Sequence, residues 1–141
     1  MRPAIQRTDL VYPELSYQLV GCPYEVFNEL EFGYHEKYYQ RAYAIALRNK
    51  NISFVEQFYH RLEFSDKLIG KAFFDFFVEE KIVVELKKDN RYSKGHVDQV
   101  LEYLKRKNLK LAILFNFTRN GVVYKRFVNV NQEPLITPPD S

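Results

Sequence analysis

The chain has 141 residues, enough for one domain with its own core and too few for two ordinary ones. Its 46% apolar and 28% charged residues form a globular balance that excludes a disordered or low-complexity chain. The lone Cys22 excludes an internal disulfide and gives no pointer to a zinc cluster, and the net charge of +3 is too mild to define a partner by itself.

From Leu10 to Leu30 the apolar positions Leu15, Leu19, Val26, Phe27 and Leu30 recur at helical spacing, with Pro23 expected to bend the helix or begin its next part. Nothing before them resembles the apolar core of a secretory leader, and no stretch is long enough to span a bilayer. The expectation is a cytoplasmic protein with no membrane partner. Glu31-Phe32-Gly33 breaks the pattern. A second helix is predicted from His35 to about Asn49, with Tyr39, Ala42, Tyr43, Ala46 and Leu47 on its buried side.

Ser53–Phe64 alternates as a strand, Ser65-Asp66-Lys67 turns, and Leu68–Val78 and Ile82–Lys87 complete a three-stranded meander. After a charged loop, Ser93 is the predicted N-cap of a helix to Lys107 with Val97, Val100, Leu101 and Leu104 as its apolar stripe. Leu109–Phe117 is a nearly continuous apolar run, the pattern of a strand buried on both faces, and Val122–Val130 returns along it after the Asn120-Gly121 turn. The predicted order is ααβββαββ, a single α/β domain over residues 1–130. The proline-rich segment 131–141 is expected to lack regular structure.

The chemistry concentrates in Phe73–Lys88. With a turn centred near Glu80, Asp75 and Glu85 face each other across a hairpin, and the two-residue period places Lys87 beside Glu85. Two carboxylates and a lysine suit a divalent cation such as Mg²⁺ or Mn²⁺, which takes hard oxygen ligands and can activate water. The plain alternative is an ordinary alternating strand whose acids pair with Lys87 or Lys71. Against it, Asp75 lies between Phe74 and Phe76, where an unpaired carboxylate is costly to bury. Residues 71–141 carry 13 Lys and Arg against 9 Asp and Glu, whereas residues 1–70 carry 8 against 9, so the positive charge lies in the second half, either as a phosphate-binding surface or as an ordinary solvated face.

Asp75 followed by Glu85-x-Lys87 on the adjoining strand resembles the signature of the PD-(D/E)XK nuclease superfamily. More narrowly, the chain is similar to the small bacterial GxxExxR proteins, through LSYQLVGCPYEVFNEL, Gly33-x-x-Glu36, DFFVEEKIVVELK, HVDQVLEYLK and LAILFNF in that order. The resemblance implies a restriction-endonuclease-like core, a mixed sheet of about five strands flanked by helices. It implies metal-dependent hydrolysis of nucleic acid, with DNA foremost. Glu36 would join Asp75 and Glu85 as metal ligands, with Lys87 and Gln99 completing the catalytic set. Gln99-x-x-x-Tyr103 looks like the Q-x-x-x-Y motif of RecB-like nucleases, and Tyr103, Lys88, Arg91, Lys94 and His96 become candidates for contact with nucleic acid. Phe74 stands where the superfamily has proline, and His35 where the family has an apolar residue; neither change removes a catalytic group. Two other readings share the fold: a non-catalytic binding module, and a homodimeric junction-resolving enzyme with two sites related by symmetry.

Overall fold

The computed structural model describes residues 11–89 and 91–129, so the C-terminal segment expected to lack regular structure lies outside it. The elements are α1 (Pro13–Leu30), α2 (Glu36–Asn49), β1 (Phe54–Phe64), β2 (Lys67–Val78), β3 (Ile82–Lys88), α3 (Lys94–Lys107), β4 (Leu111–Thr118) and β5 (Gly121–Val128), in the predicted order. Pro23 does not divide α1, which runs through it. A proline at position 23 cannot donate to the carbonyl of Leu19, and the Tyr43 hydroxyl donates to that oxygen instead at 3.2 Å. α2 starts at His35, whose side chain accepts from the Lys37 N–H, and α3 starts at Ser93, whose Oγ accepts from the His96 N–H at 3.0 Å.

The five strands lie in the order β1-β2-β3-β4-β5, antiparallel throughout except for the parallel β3–β4 pair joined by α3. Glu79 and Glu80, at φ 53° and 56°, turn the chain in the three-residue connection between Val78 and Ile82, where the Lys81 N–H donates to the Val78 carbonyl at 2.9 Å. The sheet has a core on each face. On one, α1 and α2 cover Phe76, Val84, Leu86, Ile113 and Phe115; on the other, α3 covers Phe74, Val83, Ala112 and Leu114. β3 and β4 are buried on both faces, as the unbroken apolar run of β4 predicted. The C-terminal ends of this parallel pair are where the polar residues gather.

Candidate active site

Two residues apart on β2, Phe74 and Phe76 should share a face, yet Phe74 packs under α3 and Phe76 under α1 and α2. The strand changes face at Asp75. Its pairing with β1 skips Gln57 and Asp75, between Glu56↔Phe76 and Phe58↔Phe74, and Gln57 takes φ 50°. On the other side, the β2–β3 ladder ends at Phe76↔Val84, one pair short of the predicted facing of Asp75 and Glu85. Side chains take over the ladder's work. Glu85 Oε2 accepts from the Asp75 backbone N–H at 2.8 Å, and Asp75 Oδ2 accepts from the Leu86 backbone N–H at 2.8 Å. Each acid is held by the other's strand.

Other elements bring further groups to this gap. Glu36, the first residue of α2, accepts from the Lys88 backbone N–H through Oε1 at 3.2 Å. His96, in the first turn of α3, places Nε2 2.6 Å from Glu85 Oε1. Its ring stacks on Tyr92 with centroids 5.6 Å apart, and Lys87 Nζ lies 5.6 Å from the same ring. The Tyr92 hydroxyl donates to the Phe115 carbonyl at 2.8 Å, anchoring this wall to β4. Outside it, Lys88 and Arg119 approach the Phe32 ring, while Lys37 and Arg41 approach Tyr38, so the rim beside Glu36 mixes cations with aromatic faces.

Burial first, then the charge of Glu85, raise the Asp75 carboxyl from 3.8 to about 7, although the Leu86 N–H opposes the shift. Burial, then the charges of Glu85, Asp75 and Glu36, push the Tyr92 hydroxyl up. The hydrogen bond to Glu85 holds the proton on His96 to higher pH than usual. Among the described residues no group of three or more His, Cys, Asp or Glu side chains is arranged to hold a metal ion as the side chains stand. Asp75 and Glu36 each accept one hydrogen bond through a single oxygen, leaving the other without one among those residues. These hard oxygen donors match, in donor type, a divalent ion that retains its own waters, and they do not match a soft ion.

Asp75, Glu85, Glu36, Lys87 and His96 thus meet at one gap, and Lys88 reaches it through its backbone. Arg91 and Lys94 stand exposed beside Tyr92. Gln99 lies one turn beyond His96 with its side chain exposed. Tyr103 is elsewhere: 3% exposed, it packs among Phe58, His60 and Phe74, with no face open to a base. The tyrosine of the Q-x-x-x-Y pattern is therefore a core residue here. Sequence reasoning missed Tyr92, for which no local pattern speaks. It also missed Asn116, the polar break in the apolar run of β4, whose register partner across the parallel pair is Lys87. Glu25 pairs with Lys50 at the surface at 2.7 Å.

A five-stranded mixed sheet with helices on both faces and an acidic gap at the parallel strand ends defines a restriction-endonuclease-like α/β fold. Residues 13–127 match the model of the PD-(D/E)XK nuclease superfamily, and the chain belongs to that superfamily. No curated protein matches it at a significant level. Among solved structures it is similar to that of SSO0001, with 21% identity and a TM-score of 0.49, across 95% of this chain and 64% of that one. The chain thus spans somewhat less than two thirds of that protein's length.

Proposed function

We propose that this protein is a metal-dependent nuclease that hydrolyses phosphodiester bonds with water, DNA being its substrate. The observation that carries the reading is the convergence of Asp75, Glu85, Glu36 and Lys87 where β2 and β3 part, with Asp75 raised to about 7 by burial and then by the charge of Glu85. Asp75, Glu85 and Glu36 would hold Mg²⁺ or Mn²⁺, which when bound supplies charge neutralisation at phosphate oxygens and a more acidic water. Lys87 is a point cation beside them, suited to offset charge developing on the phosphate. His96 holds Glu85 in place through its 2.6 Å contact. Lys88, Arg91 and Lys94 favour approach of a polyanion, and Gln99 is positioned to meet substrate from the next turn of α3. Gly33, at φ 127° where the backbone favours glycine, and Glu36 match the first two positions of the GxxExxR motif, and Tyr39 stands where its arginine would be.

Purified protein should cut labelled DNA when Mg²⁺ or Mn²⁺ is added and stop with EDTA, and Asp75→Ala and Lys87→Ala should not cut. Metal-independent cleavage surviving in both variants would overturn the mechanism. A non-catalytic nucleic-acid module is the second reading, favoured by the engagement of both Glu85 oxygens, one by the Asp75 N–H and one by His96. It requires DNA binding that weakens with salt and no heat of Mg²⁺ or Mn²⁺ binding by calorimetry.

A further inference from the structure

A cavity of about 460 Å³ opens beside the site, between the start of α3 and strands β4 and β5. Tyr92 lines it and also carries the stacked His96, so the cavity and the acidic gap share a wall. Phe127, packed against the core beneath α3, contributes an apolar surface, and exposed Arg91, Lys94 and Lys125 supply cations. Lys94 is partly offset by Asp98 at 3.0 Å. Into this setting comes Asn116, whose Oδ1 is buried and has no hydrogen-bond partner among the described residues. A buried amide oxygen without a donor is costly, and a turn of the Asn116 side chain, which lines the cavity, would offer that oxygen to an N–H brought in from outside. Asn116 is the register partner of Lys87, which sets this acceptor one strand from the proposed catalytic lysine.

The cavity has the size of a small-ligand site, with an apolar lining, cations around it and an unpartnered amide oxygen on a residue of its wall. A nucleotide has the matching parts: a flat apolar base, an anionic phosphate and N–H groups on the base edge. Every nucleobase carries an N–H on its Watson–Crick edge, and in a duplex that donor is already engaged. A base still in the stack cannot reach such a cavity at all. We propose that the cavity receives an unpaired base of the substrate strand, with Asn116 Oδ1 accepting from its Watson–Crick edge and Arg91, Lys94 and Lys125 facing the phosphates. The protein would then act beside unpaired nucleotides, in single strands, flaps or frayed ends, in preference to continuous duplex. That preference rests on the nuclease reading; occupancy of the cavity does not.

The test separates the two. In EDTA, binding of dAMP and of 2-deoxyribose 5-phosphate, which has the phosphate and no base, is measured by calorimetry or NMR titration. dAMP should bind at least tenfold more tightly. Asn116→Leu should lose at least fivefold of dAMP affinity and leave the sugar phosphate unchanged. So should Val123→Trp, which fills the mouth from a position 54% exposed and thus tolerant of substitution. Asp75→Asn should bind dAMP as the wild type does. Equal binding of dAMP and sugar phosphate would reveal phosphate recognition alone and overturn the proposal, as would wild-type dAMP binding in both cavity variants. With Mg²⁺, a single-stranded oligonucleotide should be cut at least tenfold faster than its duplex. Selective dAMP binding without cleavage of any strand would uphold the cavity and sink the nuclease reading. Cleavage of both strands at one rate, with no selectivity for dAMP, would do the reverse.

Discussion

Replacing Asp75 with asparagine keeps the shape of the side chain and the acceptor for the Leu86 N–H while removing a charge that the fold holds at a cost. The folded protein keeps the Asp75 proton up to about pH 7, whereas an unfolded carboxyl releases it near 3.8. The sign follows: the stabilisation is fully present below 3.8 and is lost as pH rises through 7. Three units at 1.36 kcal/mol each make this loss about 4 kcal/mol. Asparagine brings a buried amide N–H pair that the acid lacks, which takes back about 2 kcal/mol where no acceptor is found. At pH 8 without metal, Asp75→Asn should therefore be about 2 kcal/mol more stable than the wild type, roughly 6–8 °C in melting temperature for a chain of this size. At pH 4 the advantage should vanish or reverse. Urea denaturation from pH 4 to 8, in EDTA, measures both. Millimolar Mg²⁺ should then raise the wild-type midpoint and leave the variant unmoved, because only the carboxylate gains from the ion. Equal pH slopes for the two proteins, or a variant less stable at pH 8, would refute the assignment of Asp75 as the strained acid.

Lys87→Ala should fold normally by circular dichroism and lose on the order of 10²–10³-fold in metal-dependent cleavage rate, the scale for one preorganised electrostatic group. His96→Gln should destabilise the protein by about 1 kcal/mol near pH 6, a partly exposed charged contact being worth no more. Because Glu85 raises the His96 pKa, that difference should be fully present below the ordinary histidine range and fade as pH rises above it, as thermal melts at pH 6 and 9 can follow. Ser93→Ala removes the cap on the His96 N–H and should cost about 1 kcal/mol, with faster amide exchange confined to the first turn of α3.

Element order was legible in the residues because each signal is local: the Ser93 cap, the Asn120-Gly121 turn, the two-sided apolar run of β4. The facing of Asp75 and Glu85 was half legible. Alternation placed both at the same level of the hairpin, but it assumes an unbroken ladder, and the strands part there because carboxylates take the backbone N–H groups. The change of face between Phe74 and Phe76 could not be read from period two, since it depends on the backbone of Gln57 on the neighbouring strand. Tyr103 misled for a similar reason: helical spacing assigns it to the side of Gln99, while the rings of Phe58, His60 and Phe74 draw it into the core. Tyr92 sits in a loop, where periodicity carries no information. Asn116 was visible as a polar letter in an apolar word, and only the β3–β4 register tells which residue it accompanies.

The exchange of hydrogen bonds at the strand gap also makes the backbone a recorder of the site's charge. Three successive acids each hold one amide: Glu85 that of Asp75, Asp75 that of Leu86, and Glu36 that of Lys88. An amide proton shifts when its acceptor gains a proton or a cation. The three ¹⁵N–¹H signals of Asp75, Leu86 and Lys88 should therefore move when Mg²⁺ is added, and that of Leu86 should also follow the Asp75 proton, without any label in the cleft.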